Sequence, residues 1–250
     1  MLEKYLNNRL IILYVAPFLI GLSTVFSFQP YNIVIINFFI LPIFFYLTTY
    51  INKKSRSTFR KKPYLKNLFI FGCSFGFGFY LSGISWITNS LTYDENFKIL
   101  IPFALIAIPL FLSLFVGLAI LIIGPFLNNN FSSILFFSAG LGVSDFFRSK
   151  ILTGFPWNLW AYSFSSSTEI LQILNFMGLF AFNLLAITIF TLPAFLFFKI
   201  NNLKKIFVSI LTVILILSSY IFGSYQINKN NKLIKTLDKI INVKKISPNF

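Results

Sequence analysis

Histidine is absent from the 250 residues of this chain, and Asp and Glu together number only six. A Ser-His-Asp triad is therefore excluded. Metal sites of the His/Cys type are excluded as well, because Cys73 is the one cysteine. That same scarcity rules out a disulfide framework within the chain. Cys73 lies among Phe and Gly in the apolar run 68–80, where a thiol stays protonated and inert. Charge is scarce too. Only 11% of the residues carry it, against about a quarter in a soluble domain. What is present is apolar, with 57% hydrophobic residues and a mean hydropathy of +0.81. These proportions describe an all-α polytopic membrane protein.

The net charge of +15 does not point to nucleic acid. Lys and Arg gather in short runs between apolar segments, as the positive-inside rule requires. A spanning helix needs roughly 20 apolar residues. Seven segments qualify: about 10–28, 32–50, 67–90, 99–127, 131–147, 170–198 and 206–223. The first lacks a small-residue cleavage site and reads as a retained helix. Pro102, Pro109 and Pro193 are tolerable inside a bundle. Gly72, Gly76, Gly78 and Gly83 include small-xxx-small spacing and read as packing positions.

Loop charge orients the chain. Lys53, Lys54, Arg56, Arg60, Lys61, Lys62 and Lys66 fill the second loop, and Lys199, Lys204 and Lys205 the sixth. Lys4 and Arg9 flank the first helix, whereas the loop at 29–31 is uncharged. The N-terminus is therefore expected in the cytoplasm, with the 148–169 loop and the C-terminal tail outside. Residues 1–225 form the membrane domain on this reading. In the remaining stretch, 226–250, an amphipathic piece precedes 242–246, which reads as a strand entering a Pro-Asn turn.

Polar residues beside spans are costly and count as candidates. Asp145 and Arg148 share a helical face, spaced to form an ion pair. That pair would position the following turn, touch a lipid headgroup, or serve as an ordinary interfacial pair. Trp86 marks the end of the third segment and reads as an aromatic-belt anchor. Thr168 is the expected N-cap of the sixth helix, and Asn183 is expected to bond across helices. The most specific stretch is Leu152-Thr153-Gly154-Phe155-Pro156-Trp157. Pro156 removes a donor and pushes Phe155 from helical geometry, while Gly154 permits turns that other residues resist. Trp157, Trp160 and Tyr162 follow, aromatics that settle at headgroup level.

Four stretches together resemble the apolipoprotein N-acyltransferases. They are Ser27-Phe28-Gln29-Pro30-Tyr31; Phe75-Gly76-Phe77-Gly78-Phe79 with Gly83-Ile84-Ser85-Trp86; Asp145-Phe146-Phe147-Arg148 with the Gly154–Trp157 turn and Tyr162; and Gln172 through Gly178 with Phe182-Asn183. The family usually has Glu where this chain has Asp145. The resemblance implies a multi-pass protein of the bacterial inner membrane. It implies a phospholipid acyl donor, and as acceptor a lipoprotein bearing an S-diacylglyceryl cysteine. No cofactor and no metal are implied.

The chemistry implied by the family runs through a thioester on a Glu-Lys-Cys triad in a nitrilase-like domain. Residues 243–250 resemble the opening strand of that domain, so a C-terminal α/β stub is expected and no catalytic residue carries over. The expectation is a fragment without activity of its own. Trp157, Pro156, Gly154, Asp145, Arg148 and Trp86 are the residues expected to shape the rim where lipid enters. The competing reading is a non-catalytic scaffold or a transporter. A transporter would usually show an internal repeat or broken helices with polar midplane residues; no repeat is visible here and midplane polarity is sparse.

Overall fold

The computed structural model describes residues 8–58, 63–151, 154 and 156–235, and all regular structure among them is helical. The chain opens with the helix α1, Ile11–Ser27. Helix α2 spans Asn37–Thr58, α3 Pro63–Ile84, α4 Ile101–Ile123 and α5 Phe131–Arg148. Two single turns follow, α6 at Thr168–Leu171 and α7 at Leu174–Met177. Helix α8 runs Leu179–Thr191 and α9 Asn202–Lys235.

Five helical stretches among the described residues are long and apolar enough to cross a bilayer: Val34–Lys54, Tyr64–Thr92, Glu95–Phe126, Leu179–Phe197 and Asn202–Ile234. The other two of the seven expected spans fall short by that measure. Helix α1 is shorter, and α5 carries Asp145 and Arg148 in its last turns. The segment expected over 170–198 is not one helix. Gly178, at φ +77°, turns the chain between α7 and α8, a conformation only glycine adopts cheaply. The cap before it also differs from expectation by one residue. Ser167, not Thr168, accepts the Ile170 amide at 3.5 Å.

The boundary expected at 225 falls inside α9, which continues to Lys235 without a break. The expected strand at 242–246 and the rest of 236–250 lie outside the described residues. So do Leu152, Thr153 and Phe155 of the signature turn, and Arg60, Lys61 and Lys62 of the second loop.

Close helix approach explains the glycine-rich α3. A β-carbon on Gly78 would overlap the Phe18 carbonyl of α1, and one on Gly21 would overlap the Phe75 carbonyl of α3. On the other face of α3, a β-carbon on Gly72 would sit 2.9 Å from the Gly117 Cα of α4. Backbones can come that near only where side chains are absent, which is how helices pack without a hydrophobic driving force. Arg9 joins α1 to the start of α3 by donating to Asn67 Oδ1 at 3.1 Å. At the end of α2, Asn52 donates to the Pro125 carbonyl at 3.3 Å.

Between the glycine contacts runs an aromatic core. Phe44 of α2 stacks on Phe75 with ring centroids 3.8 Å apart and on Phe71 at 5.3 Å. Phe79 extends the row to Trp160, 5.1 Å away and nearly parallel at 18°. Helix α9 packs differently. It is largely exposed along its length, with Val208, Ser219 and Gly223 its buried positions. Its tightest approach is at Gly223, where a β-carbon would overlap the Glu169 carbonyl.

Gly78→Ala is expected to lower stability by about 1–3 kcal/mol, the cost of overpacking. Ser218→Ala, at an exposed hydroxyl on α9 that donates to the Leu215 carbonyl, is expected to change it little. Unfolding in mixed detergent micelles measures both, and equal midpoints for the two variants would contradict the packing account.

Candidate functional site

The segment after α5 starts as a surface turn and ends inside the bundle. Gly154 has φ +86°, and a β-carbon there would overlap the Ser149 carbonyl. Pro156 is partly buried, and Trp157 is half-exposed with its ring meeting Trp86 edge-on at 5.4 Å. Asn158 then takes a left-handed backbone, φ +54°. Leu159–Ala161, Ser163 and Phe164 are buried. Trp160–Phe164 forms a short 3-10 helix whose Ala161 and Ser163 are inaccessible.

The depth of this insertion follows from its partners. Phe164 stacks on Phe190 at 5.1 Å and 13°. Phe164 also meets Phe182 at 5.8 Å, so its ring lies between the first and the third turn of α8, roughly 5 to 16 Å below the start of that helix. The aromatics were expected to rest at headgroup level. Instead Trp160 joins the core together with Phe164, Tyr162 is partly buried, and Trp157 stays at the surface beside Trp86.

Irregular backbone at such depth must have its polar groups satisfied by protein. Two side chains do this, and a third holds both. Arg148 Nη1 donates to the Trp157 carbonyl at 2.8 Å. Asn183, from α8, accepts the Ala161 amide on its Oδ1 at 3.1 Å. Asp145 accepts from Arg148 Nη2 on one oxygen at 3.0 Å and from Asn183 Nδ2 on the other at 2.9 Å. The Arg148 guanidinium also lies over the Tyr80 ring, 5.2 Å from its centroid. The result is a clamp that grips the loop at two points four residues apart.

This placement decides among the readings of the Asp145–Arg148 pair. Arg148 is 1% exposed and Asp145 7%, so neither an interfacial pair nor a headgroup contact describes them. They stand behind the rim and hold it. Asp145 has both oxygens engaged and is not placed as a general base. Among the six expected rim residues, Trp86 and Trp157 touch each other, Gly154 and Pro156 shape the turn, and Asp145 and Arg148 support it. The expected interhelical bond of Asn183 is present. Its second bond, to Ala161, was hidden from the sequence, although a lone amide in an apolar run signals some such task. Tyr80 carried no comparable signal.

Removing one partner of a buried ion pair leaves the other charged and unpaired. Asp145→Ala is therefore expected to cost about 3–5 kcal/mol of stability. Combining Asp145→Leu with Arg148→Met is expected to cost less than Asp145→Ala alone, as read from unfolding midpoints. A double variant as unstable as the single one would show that the pair's charge is not what matters.

A family profile described as the apolipoprotein N-acyltransferase N-terminal domain matches residues 20–192, a stretch that contains the whole clamp. The apolipoprotein N-acyltransferase of Sinorhizobium medicae is 30% identical over 179 residues, covering 71% of this chain and 33% of that protein. That of Brucella melitensis is 30% identical over 183 residues, covering 72% and 34%. That of Rhizobium etli is 34% identical over 127 residues, covering 50% and 24%. The chain thus spans at most about a third of the length of these relatives. The chain belongs to the apolipoprotein N-acyltransferase family, through the N-terminal membrane domain that these proteins share.

Proposed function

We propose that this chain is the membrane platform of a lipoprotein N-acyltransferase of the bacterial inner membrane. The observation that carries this reading is the family match across residues 20–192, which takes in the clamped loop and its tryptophan rim. In the reaction the family name implies, an acyl chain leaves a phospholipid and becomes an amide on the α-amino group of an S-diacylglyceryl cysteine. The intermediate thioester would form on a cysteine outside these residues. Cys73, inside α3 against Gly117, has no such role.

The platform's task is to hold both lipid-bearing substrates where the chemistry occurs. Confining two reactants in one geometry supplies much of what a bimolecular step otherwise lacks. On this reading the Trp86 end of the bundle faces outward, consistent with the basic loops at the opposite end. Trp86 and Trp157 form the rim that acyl-bearing molecules meet. Gly154 and Pro156 set the turn, while Asp145 and Arg148 keep it from yielding.

Two readouts on the 250-residue chain in phospholipid vesicles test this. A diacylated lipopeptide is expected to protect Trp86 and Trp157 from aqueous fluorescence quenching, whereas the same peptide without lipid does not. The lipopeptide itself is expected to remain unacylated. Equal quenching with and without lipopeptide would remove the rim assignment, and acyl transfer by this chain alone would overturn its role as a platform.

A further inference from the structure

Beside the clamp is a small internal cavity that takes its wall from four parts of the chain. Tyr80 of α3, Val116 of α4, Ser144 and Asp145 of α5, and Trp160 of the loop all line it, and the rest of the wall is apolar. The space open to the centre of a water-sized sphere is about 10 Å³, close to the room that one water molecule takes. A cavity this small brings its whole wall near a single guest.

The polar groups on that wall have hydrogen-bonding capacity left. Asp145 accepts one bond on each oxygen, from Arg148 and from Asn183, and each carboxylate oxygen has a second lone pair. Ser144 gives its only hydroxyl proton to the Phe115 carbonyl at 2.9 Å, so toward the cavity it can only accept. Trp160 is 4% exposed. Its indole N–H is a donor with no acceptor role, and no described residue takes it up. A buried donor of this kind carries a desolvation cost, which folded proteins offset with a protein group or an ordered water.

Cavities that stay dry are apolar, and this one has a carboxylate, a hydroxyl oxygen and an indole on its wall. We propose that it is a site for one water molecule, which accepts from the Trp160 N–H and donates to Asp145 and to Ser144 Oγ. That makes three hydrogen bonds, the usual number for a buried water. Through it Asp145 gains a third hold on the loop, besides the Trp157 carbonyl reached by Arg148 and the Ala161 amide reached by Asn183. The water also gives a reason for tryptophan at the end of the aromatic row. Stacking on Phe79 needs only a ring, whereas the water needs the N–H.

The experiment is water-to-indole magnetisation transfer in the detergent-solubilised 250-residue chain, labelled with nitrogen-15 in its three tryptophans. Trp86→Phe and Trp157→Phe assign the signals. The Trp160 indole proton is expected to show a dipolar cross-peak to a long-lived water. Tyr80→Phe and Ser144→Ala each remove a hydroxyl whose exchanging proton would imitate water. The peak is expected to survive both, since at least two of the water's partners remain. Val116→Ile adds one methyl group to the wall. It is expected to abolish the peak and to lower the unfolding midpoint, because it displaces a bonded water; in a dry cavity the same methyl would fill space and raise the midpoint. No cross-peak in the wild type, a peak lost in Tyr80→Phe or Ser144→Ala, or a midpoint raised by Val116→Ile overturns the proposal.

Discussion

The carboxylate of Asp145 is the group on which the rest of this end of the bundle depends. Its two oxygens meet two donors from different places in the chain, Arg148 one turn later in α5 and Asn183 in α8. Each donor reaches onward to a backbone group of the same loop. An ion pair inside a membrane protein carries a desolvation cost that its Coulomb attraction offsets only when geometry is good and the remaining sites are bonded. Here the guanidinium also meets the Trp157 carbonyl and the Tyr80 ring, and the carboxylate has both oxygens occupied. The arrangement is neutral as a whole and fixed in direction.

That fixed direction explains the division between the two tryptophans of the loop. Trp160 is drawn into the bundle, where it ends the aromatic row that begins at Phe71. Trp157 is held by its own carbonyl but leaves its ring at the surface beside Trp86. Polar groups work from behind and aromatic groups face outward. A rim supported in this way keeps its shape when amphipathic molecules press on it. The lipid-presenting role proposed for this chain would need that property, because orientation lost at the rim is lost at the reacting atoms.

Much of this was legible in the chain, and the exceptions have physical causes. Apolar length marked the long spans, and the three-residue spacing of Asp145 and Arg148 marked an ion pair. Asn183 stood out because an amide in an apolar helix must find a partner. The depth of the loop was not legible. Trp, Tyr and Phe serve equally at a bilayer interface and in a core, so Trp157 and Trp160 look alike until Phe79 and Asn183 are placed around one of them. The break at Gly178 was masked for a related reason, since the residues on both sides are apolar enough to continue a span. The Ser167 cap differs from Thr168 by a single position, within the ordinary uncertainty of a helix end.

Backbone hydrogen exchange at Ala161 tests the clamp most directly. Its amide is bonded to Asn183 Oδ1, and Asn183 is oriented by Asp145. In the wild type Ala161 is expected to exchange as slowly as the neighbouring helices. In Asp145→Asn it is expected to exchange at least about tenfold faster, as one lost charged hydrogen bond implies, while the α3 and α4 amides stay protected. Unchanged protection of Ala161 in that variant would mean that the loop is held by aromatic packing alone and that Asp145 does not organise it.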